Sequence, residues 1–457
     1  MGSDVREWFV NVIAQGKTGH ADLVAYFFLR AQALMAAGGQ LGLIATNSIA
    51  QGDTREVALD RMVRDGFSIT RAIKSRPWPA ATANLEYAAV WGGFGGINPD
   101  IPRICDGNPA ALITSLLEPS GRVEGQPRRL DENKGIGFIG CYVLGLGFVV
   151  EPEVAKVWIQ EDRRNSKVLL PYLNGEDLNS RPDCSASRWV IDFGERSEPE
   201  ARVFARPWDH VLHQVRPERI KKDATKYPRM VNEWWKFFNG RPAMRDAIRH
   251  LEEVLVIALV SKSVMPVRVR TDQVFSHMLG VFATDSYATQ AVLSSAIHQI
   301  WAITYGSTLE TRVRYTPSDV FDTFPRPGLS RELEQIGRDL EFDRRAIMDQ
   351  RQLGLTKLYN LVNDPNVADT DVIRLREIHT AIDRSVLEAY GWADIEPDHG
   401  FHVYRSMERW TVGPGARLEI MDRLLEENLR RSAAESISAP AKGKRKKGST
   451  DDEASLF

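Results

Sequence analysis

The apolar positions of the first hundred residues follow a helical period and then a strand-like one. In residues 21–37 they recur at helical spacing, with Phe27 and Leu34 on one face, which predicts an amphipathic helix. The run Leu41–Thr46 is almost wholly apolar. Such a run is typical of a strand covered on both faces of a parallel sheet, so we expect that environment here.

Three further elements complete this pattern. The sequence predicts a helix over Thr54–Arg64 and two strands near Ile69–Ile73 and Leu85–Trp91. The breakers around Gly95–Pro99 suggest a boundary, so residues 1–97 are predicted to form an α/β unit, a partial Rossmann-like lobe. The glycine run Gly92–Gly96 follows the last strand and opens no helix, so we interpret it as a flexible linker rather than a nucleotide-binding loop.

The rest of the chain divides into a mixed region, a helical region and a tail. Residues 98–330 alternate short strands and helices with turn residues, which predicts a mixed α+β domain. Residues 331–432 carry amphipathic helical spacing and are predicted to form a helical module. Residues 433–457 combine a basic cluster with an acidic one and little apolar content, so we expect a disordered tail.

Charge and cysteine usage exclude several classes of protein. The net charge of −2, from 59 basic and 61 acidic side chains, argues against a non-specific nucleic-acid coat, and DNA binding would need locally segregated charge. The sequence contains no run of 18 apolar residues, so it predicts no membrane span, and no signal peptide is recognisable. Three widely spaced cysteines predict neither a metal site nor disulfides. We therefore expect a cytoplasmic protein without a bound metal.

Trp78 is the sharpest candidate for chemistry. It lies between Pro77 and Pro79, directly after a predicted strand. Enzymes that modify a base inside a duplex extrude it into a pocket, where it stacks on an aromatic side chain. A tryptophan between two prolines is rigid enough for that role, and the alternative is an ordinary packing residue.

Seven basic side chains of the mixed region are candidates for DNA contacts. Lysines in a dense basic stretch suit phosphate positioning, although a solvated helix face is a near-equal alternative. Arginines two apart on a predicted strand share one face and suit guanine readout in the major groove, although surface salt bridges would use the same residues. The candidates are Lys221, Lys222, Lys262, Arg268, Arg270, Arg312 and Arg314.

Several blocks in a fixed order make the chain resemble one family, the MmeI-like adenine-N6 DNA methyltransferases of type IIL and IIG restriction–modification and phage defence. The resemblance covers nearly all of residues 6–432 and matches the C-terminal half of such enzymes. Among its blocks are GLIATNSIAQGDTRE (42–56), PYLNGEDLNSRPD (171–183), VFSHMLGVFATDS (274–286) and RVRYTPSDVFDTFPRP (312–327).

This resemblance implies a partial methyltransferase core, a target-recognition domain and a C-terminal helical domain. It also implies that Trp78 stacks on the flipped adenine and that Arg312 and Arg314 fall where the recognition domain meets the bases of double-stranded DNA.

Two family motifs are absent from the sequence. One is the glycine-rich turn that binds S-adenosylmethionine, and the other is the Asn/Asp-Pro-Pro-aromatic tetrapeptide that holds the target amine. We therefore expect the chain to be inactive alone and to recognise DNA for adenine-N6 methylation, while a partner chain supplies the S-adenosylmethionine site. The alternative is a non-enzymatic DNA-binding adaptor.

Overall fold

A computed structural model describes residues 3–17, 21–36, 38–79, 85–95, 101–110, 112–120, 123, 125–309, 312–404 and 407–438. Its elements combine helices with several separate sheets, which confirms the α/β fold class. No helix among these residues is both long enough and apolar enough to cross a bilayer.

The first unit is built on a five-stranded sheet. Its strands run in the order β1-β3-β2-β4-β5, and β3 is antiparallel to both β1 and β2. The carboxyl ends of β1 and β2 therefore lie at the same edge of the sheet. The elements are α1 (Ser3–Trp8), α2 (Leu23–Leu34), β1 (Gln40–Thr46), α3 (Gly52–Val57), α4 (Leu59–Arg64), β2 (Ser68–Pro77), β3 (Glu86–Gly93), β4 (Arg103–Cys105), β5 (Asn108–Ala110), β6 (Leu112–Ile113) and β7 (Pro119–Ser120).

Three expectations about this unit need correction. Strand β1 pairs only with β3 among the described residues, and Ile44 is 62% exposed, so β1 is an antiparallel edge strand rather than one covered on both faces. Strand β4 pairs with β2, so the boundary predicted at residue 97 falls inside the sheet. Gly92 belongs to β3, where a Cβ would lie 2.3 Å from the Ser68 carbonyl oxygen, so close packing rather than linker flexibility requires glycine there.

The second unit contains three sheets, ordered β15-β10-β11-β9, β14-β12-β16-β8 and β13-β18-β17. Its elements are β8 (Gly137–Ile139), β9 (Val149–Val150), α5 (Pro152–Glu161), β10 (Leu169–Leu173), α6 (Gly175–Ser180), β11 (Arg188–Ile191), α7 (Glu198–Arg202), α8 (Ala205–Gln214), α9 (Arg216–Arg219), α10 (Pro228–Asn232), α11 (Pro242–Ile248), β12 (Glu253–Ala258), β13 (Val260–Ser261), β14 (Val267–Arg270), β15 (Val274–Phe275), β16 (Leu279–Phe282), α12 (Tyr287–Ser294), α13 (Ala296–Tyr305), β17 (Ser307–Leu309) and β18 (Arg312–Arg314).

The third unit is mainly helical and shares one continuous apolar core with the second. It contains α14 (Arg331–Arg351), α15 (Leu355–Val362), α16 (Thr370–Tyr390), β19 (Gly400–Tyr404), β20 (Met407–Thr411) and α17 (Pro414–Ser438). The antiparallel hairpin of β19 and β20 was not predicted. Helix α17 continues to Ser438, so the prediction of a disordered tail is wrong for residues 433–438, and residues 439–457 lie outside the described part of the chain.

Candidate nucleic-acid interface

Trp78 lies where the first sheet presents the carboxyl ends of its parallel strands. It follows β2 directly, and its backbone N–H donates to the Leu85 carbonyl over 2.7 Å. The indole packs edge-to-face on Tyr87, with ring centroids 5.6 Å apart, and is 41% exposed. The contact with Tyr87 fixes the indole while part of it stays open to solvent. This geometry suits a stacking platform, although Trp78's contact with a base stays a prediction.

A polar cluster at the same edge was missed in the sequence. Asn47 follows β1 and donates through Nδ2 to Glu86 Oε2 at 2.9 Å and to Ser75 Oγ at 3.2 Å. The Ser75 hydroxyl also donates to Glu86. Ligands of α/β sheets bind outside the carboxyl ends of the strands. The signal in the sequence is that Asn47, a polar residue, directly follows the apolar run Leu41–Thr46.

Three of the predicted cations come together on the small sheet β13-β18-β17. Arg312 and Arg314 alternate with the buried Val313, as the predicted strand requires, and Arg314 is exposed. Ser261 pairs with Val313, and Lys262 follows Ser261 directly, so Lys262 lies at the end of β13 beside β18. Lys262 is also exposed. The sheet therefore presents positive charge from two separate parts of the sequence.

The expectation that Arg268 and Arg270 form an exposed pair is wrong. Arg268 is only 4% exposed, because its guanidinium lies 3.8 Å from the Tyr287 ring centroid and donates to the Asp285 carbonyl over 2.6 Å. It is covered by the start of α12 and cannot reach a base. Arg270 is exposed, but its guanidinium is held by both carboxylate oxygens of Asp272, at 3.0–3.3 Å. Any DNA contact by Arg270 would have to compete with that ion pair.

Lys221 and Lys222 lie in an exposed turn after α9. The neighbouring Arg219 is buried. Its guanidinium donates to the carbonyls of Val143 at 2.9 Å and Leu144 at 3.2 Å, and to those of Trp234 and Lys236. Burial without a carboxylate lowers the Arg219 pKa to about 10. This arginine fixes loops and does not face solvent.

The turn from β1 to α3 does not have the glycine-rich form of a methyl-donor site. The turn from β1 to α3, residues 47–51, contains no glycine, so it lacks the glycine-rich backbone cradle by which such turns approach a nucleotide. Nor does the described part of the chain hold a group of three or more histidine, cysteine or carboxylate side chains placed to bind a metal. No chemical step through S-adenosylmethionine is therefore assigned to these residues.

Comparison with known proteins identifies the second unit. Residues 141–328 match the family model described as MmeI, target recognition domain. The fold resembles that of the type IIL restriction-modification enzyme MmeI, solved in complex with DNA, with a TM-score of 0.72 and 19% identity over 95% of this chain and 55% of that one. The chain thus spans about half the length of that enzyme.

A second solved structure is the type IIG restriction endonuclease BpuSI, with 12% identity over 86% of this chain and 53% of that one. Its TM-score of 0.30 is too low to support any argument. No curated protein matches the sequence. Residues 141–328 therefore form a target recognition domain of the MmeI type, and the chain shares the fold of MmeI over 95% of its length.

Proposed function

We propose that this chain recognises a specific sequence in double-stranded DNA for adenine-N6 methylation, as part of a type IIL restriction–modification or related phage-defence system. The match of residues 141–328 to the MmeI target recognition domain carries this proposal. The exposed cations of the same segment support it, because protein–DNA affinity rests mainly on lysine and arginine contacts with phosphates.

The cations divide into two groups with different expected roles. Lys221 and Lys222 are exposed and form no ion pair with any described residue, so their charge is available to phosphates. Arg312 and Arg314 instead lie on a strand with a buried residue between them, which fixes their direction. Fixed arginines suit bidentate hydrogen bonds to guanine O6 and N7, whereas flexible lysines suit sequence-independent contacts.

Methyl transfer would require a second methyltransferase lobe, and two features of the first unit support a place for it. The outer edge of β1 carries unpaired backbone groups among the described residues, and such an edge is a template for another strand. Exposed apolar side chains lie on β1 and on α2, which packs against it, namely Ile44, Phe27 at 67% exposure and Leu34 at 71%. We assign this surface to a lobe that brings S-adenosylmethionine and the tetrapeptide.

Binding-site selection on random duplexes, at two salt concentrations, tests the DNA proposal. Arg312→Ala or Arg314→Ala should change the preferred sequence, at a cost of roughly 1–3 kcal/mol of discrimination at one base pair. Lys221→Ala and Lys222→Ala should weaken binding to all sequences alike and lower the salt slope by about one each. A parental chain that enriches no sequence would refute the proposal.

The variants also separate two ways in which this reading can fail. If Arg312→Ala and Arg314→Ala keep the parental preference and lose affinity evenly, the two arginines contact the backbone and other residues read the bases. Calorimetry tests the second-lobe proposal, since the chain alone should not bind S-adenosylmethionine. Saturable binding at micromolar concentrations, competed by S-adenosylhomocysteine, would contradict it.

A further inference from the structure

A short loop between β8 and β9 presents an apolar side chain to solvent. Leu146 is 77% exposed, and it sits between Gly145 and Gly147. The preceding backbone is in the left-handed region, with φ of 54° at Leu144 and 104° at Gly145. A non-glycine residue such as Leu144 is strained in this region and persists there only when its surroundings impose it.

Two contacts hold the loop in this shape. The buried guanidinium of Arg219 donates to the carbonyls of Val143 and Leu144, directly before the exposed leucine. On the other side, Gly147 packs so closely on the end of α8 that a Cβ would lie 2.8 Å from Val215 Cγ2. The loop is thus clamped at both ends, and Leu146 is a fixed projection rather than part of a loose segment.

The arginine that clamps this loop belongs to a basic segment, residues 216–226, which carries Arg216, Arg219, Lys221, Lys222 and Lys226 against Glu218 and Asp223. Arg219, which clamps the loop, is followed by Ile220, Lys221 and Lys222, and all three of these are exposed. An exposed leucine whose loop is tied by Arg219 to a lysine-bearing segment is a poor match for the centre of a protein interface, which is depleted of lysine. It matches DNA better, because lysines take the phosphates while leucine, among other apolar residues, enters between adjacent base pairs.

We propose that Leu146 is a wedge that inserts between two adjacent base pairs of the bound duplex and unstacks them. This role for Leu146 rests on the proposed DNA recognition by the same domain, and it adds to that proposal the residue that deforms the DNA site. The loop's rigidity is what the role demands, because a mobile leucine would fold back on the protein instead of separating the bases. Lys221 and Lys222 would hold the flanking phosphates.

The experiment uses the full chain and the duplex found by binding-site selection, with 2-aminopurine placed at successive positions. Binding of the parental chain should raise the fluorescence at one step, because 2-aminopurine brightens when it unstacks. Leu146→Ala should abolish that rise and weaken binding about tenfold, the scale of truncating one buried leucine. Leu146→Met should keep the rise, since methionine is also found as a wedge.

Leu329→Ala is the matched control, because Leu329 is also an exposed leucine in a loop. It should leave both affinity and fluorescence unchanged. Specific binding without a fluorescence rise at any position, or a rise that survives Leu146→Ala, would overturn the wedge and leave DNA recognition intact. Failure of the parental chain to bind any duplex would instead refute the proposed function itself.

Discussion

Acid should destabilise the recognition domain through His298, which is fully buried at the start of α13. Its Nδ1 lies 2.8 Å from the Leu293 carbonyl oxygen and its Nε2 lies 3.0 Å from the Tyr315 hydroxyl. Because a carbonyl only accepts, Nδ1 carries the hydrogen in the neutral ring and Nε2 accepts from Tyr315. Both nitrogens are thus satisfied in the neutral ring, so the buried site holds an uncharged histidine without an unpaired polar atom.

Burial lowers the His298 pKa from its usual 6.5 to about 4. Between these two values His298 binds a proton in the unfolded chain but not in the folded chain. Its contribution to the free energy of unfolding therefore falls as the pH falls from 6.5 to about 4 and is level outside that window. The full loss is roughly 3 kcal/mol. Since domains are stable by only about 5–15 kcal/mol, urea midpoints should decrease clearly over this range.

The assay is equilibrium urea unfolding, followed by tryptophan fluorescence, at pH values from about 7.5 to 4. His298→Gln should be less stable than the parental chain near neutral pH but should show a flatter pH dependence, because it removes the titrating group. His379 adds a second contribution of the same sign, since burial lowers its pKa to about 3. An unchanged slope in His298→Gln would show that His298 does not provide the pH dependence and would refute the reasoning.

Two further predictions concern the first and third units. Trp78→Ala should spare folding and duplex binding but lower methylation once a second lobe is supplied, because lost base stacking costs on the order of 1–3 kcal/mol. Fluorescence of 2-aminopurine at the target adenine reports base flipping. Unchanged turnover and unchanged flipping would assign Trp78 to packing. Gly337→Ala should lower the melting temperature and the free energy of unfolding, the latter by about 1–3 kcal/mol, because the new Cβ would lie 2.1 Å from the Tyr287 carbonyl oxygen. The control is Gly328→Ala, whose Cβ would meet nothing within 4 Å, so this variant should melt like the parental chain.

Local periodicity predicted the positions of the elements better than their partners. Residues 41–46 were predicted as a strand, and the strand is Gln40–Thr46. That it lies at an edge depends on which other segments pair with it, and an apolar run does not encode this. The hairpin of β19 and β20 was missed for a local reason, because the sequence between its strands contains no Asn-Gly or Asp-Gly pair.

At the candidate site, too, the local sequence does not determine which side chains are exposed. Arg268 and Arg314 each follow a valine in a short strand, and nothing in their local sequence separates them. Helix α12 covers Arg268 through Tyr287, whereas Arg314 stays exposed. The difference therefore comes from tertiary packing. Asn47 follows an apolar run, which is a signal in the sequence, but its contacts with Ser75 and Glu86 also come from tertiary packing.

The buried arginines also explain why the net charge of the chain says little about DNA. Arg219, Arg268 and Arg344 each donate to backbone carbonyls, and Arg344 reaches Pro266 over 2.9 Å. A buried cation is costly unless its hydrogen bonds are complete, so each one fixes the loops that supply its acceptors. Such arginines add to the total charge but not to the surface potential. Lys221 and Lys262 are exposed, so their charge contributes to the surface potential and is what a phosphate backbone would meet.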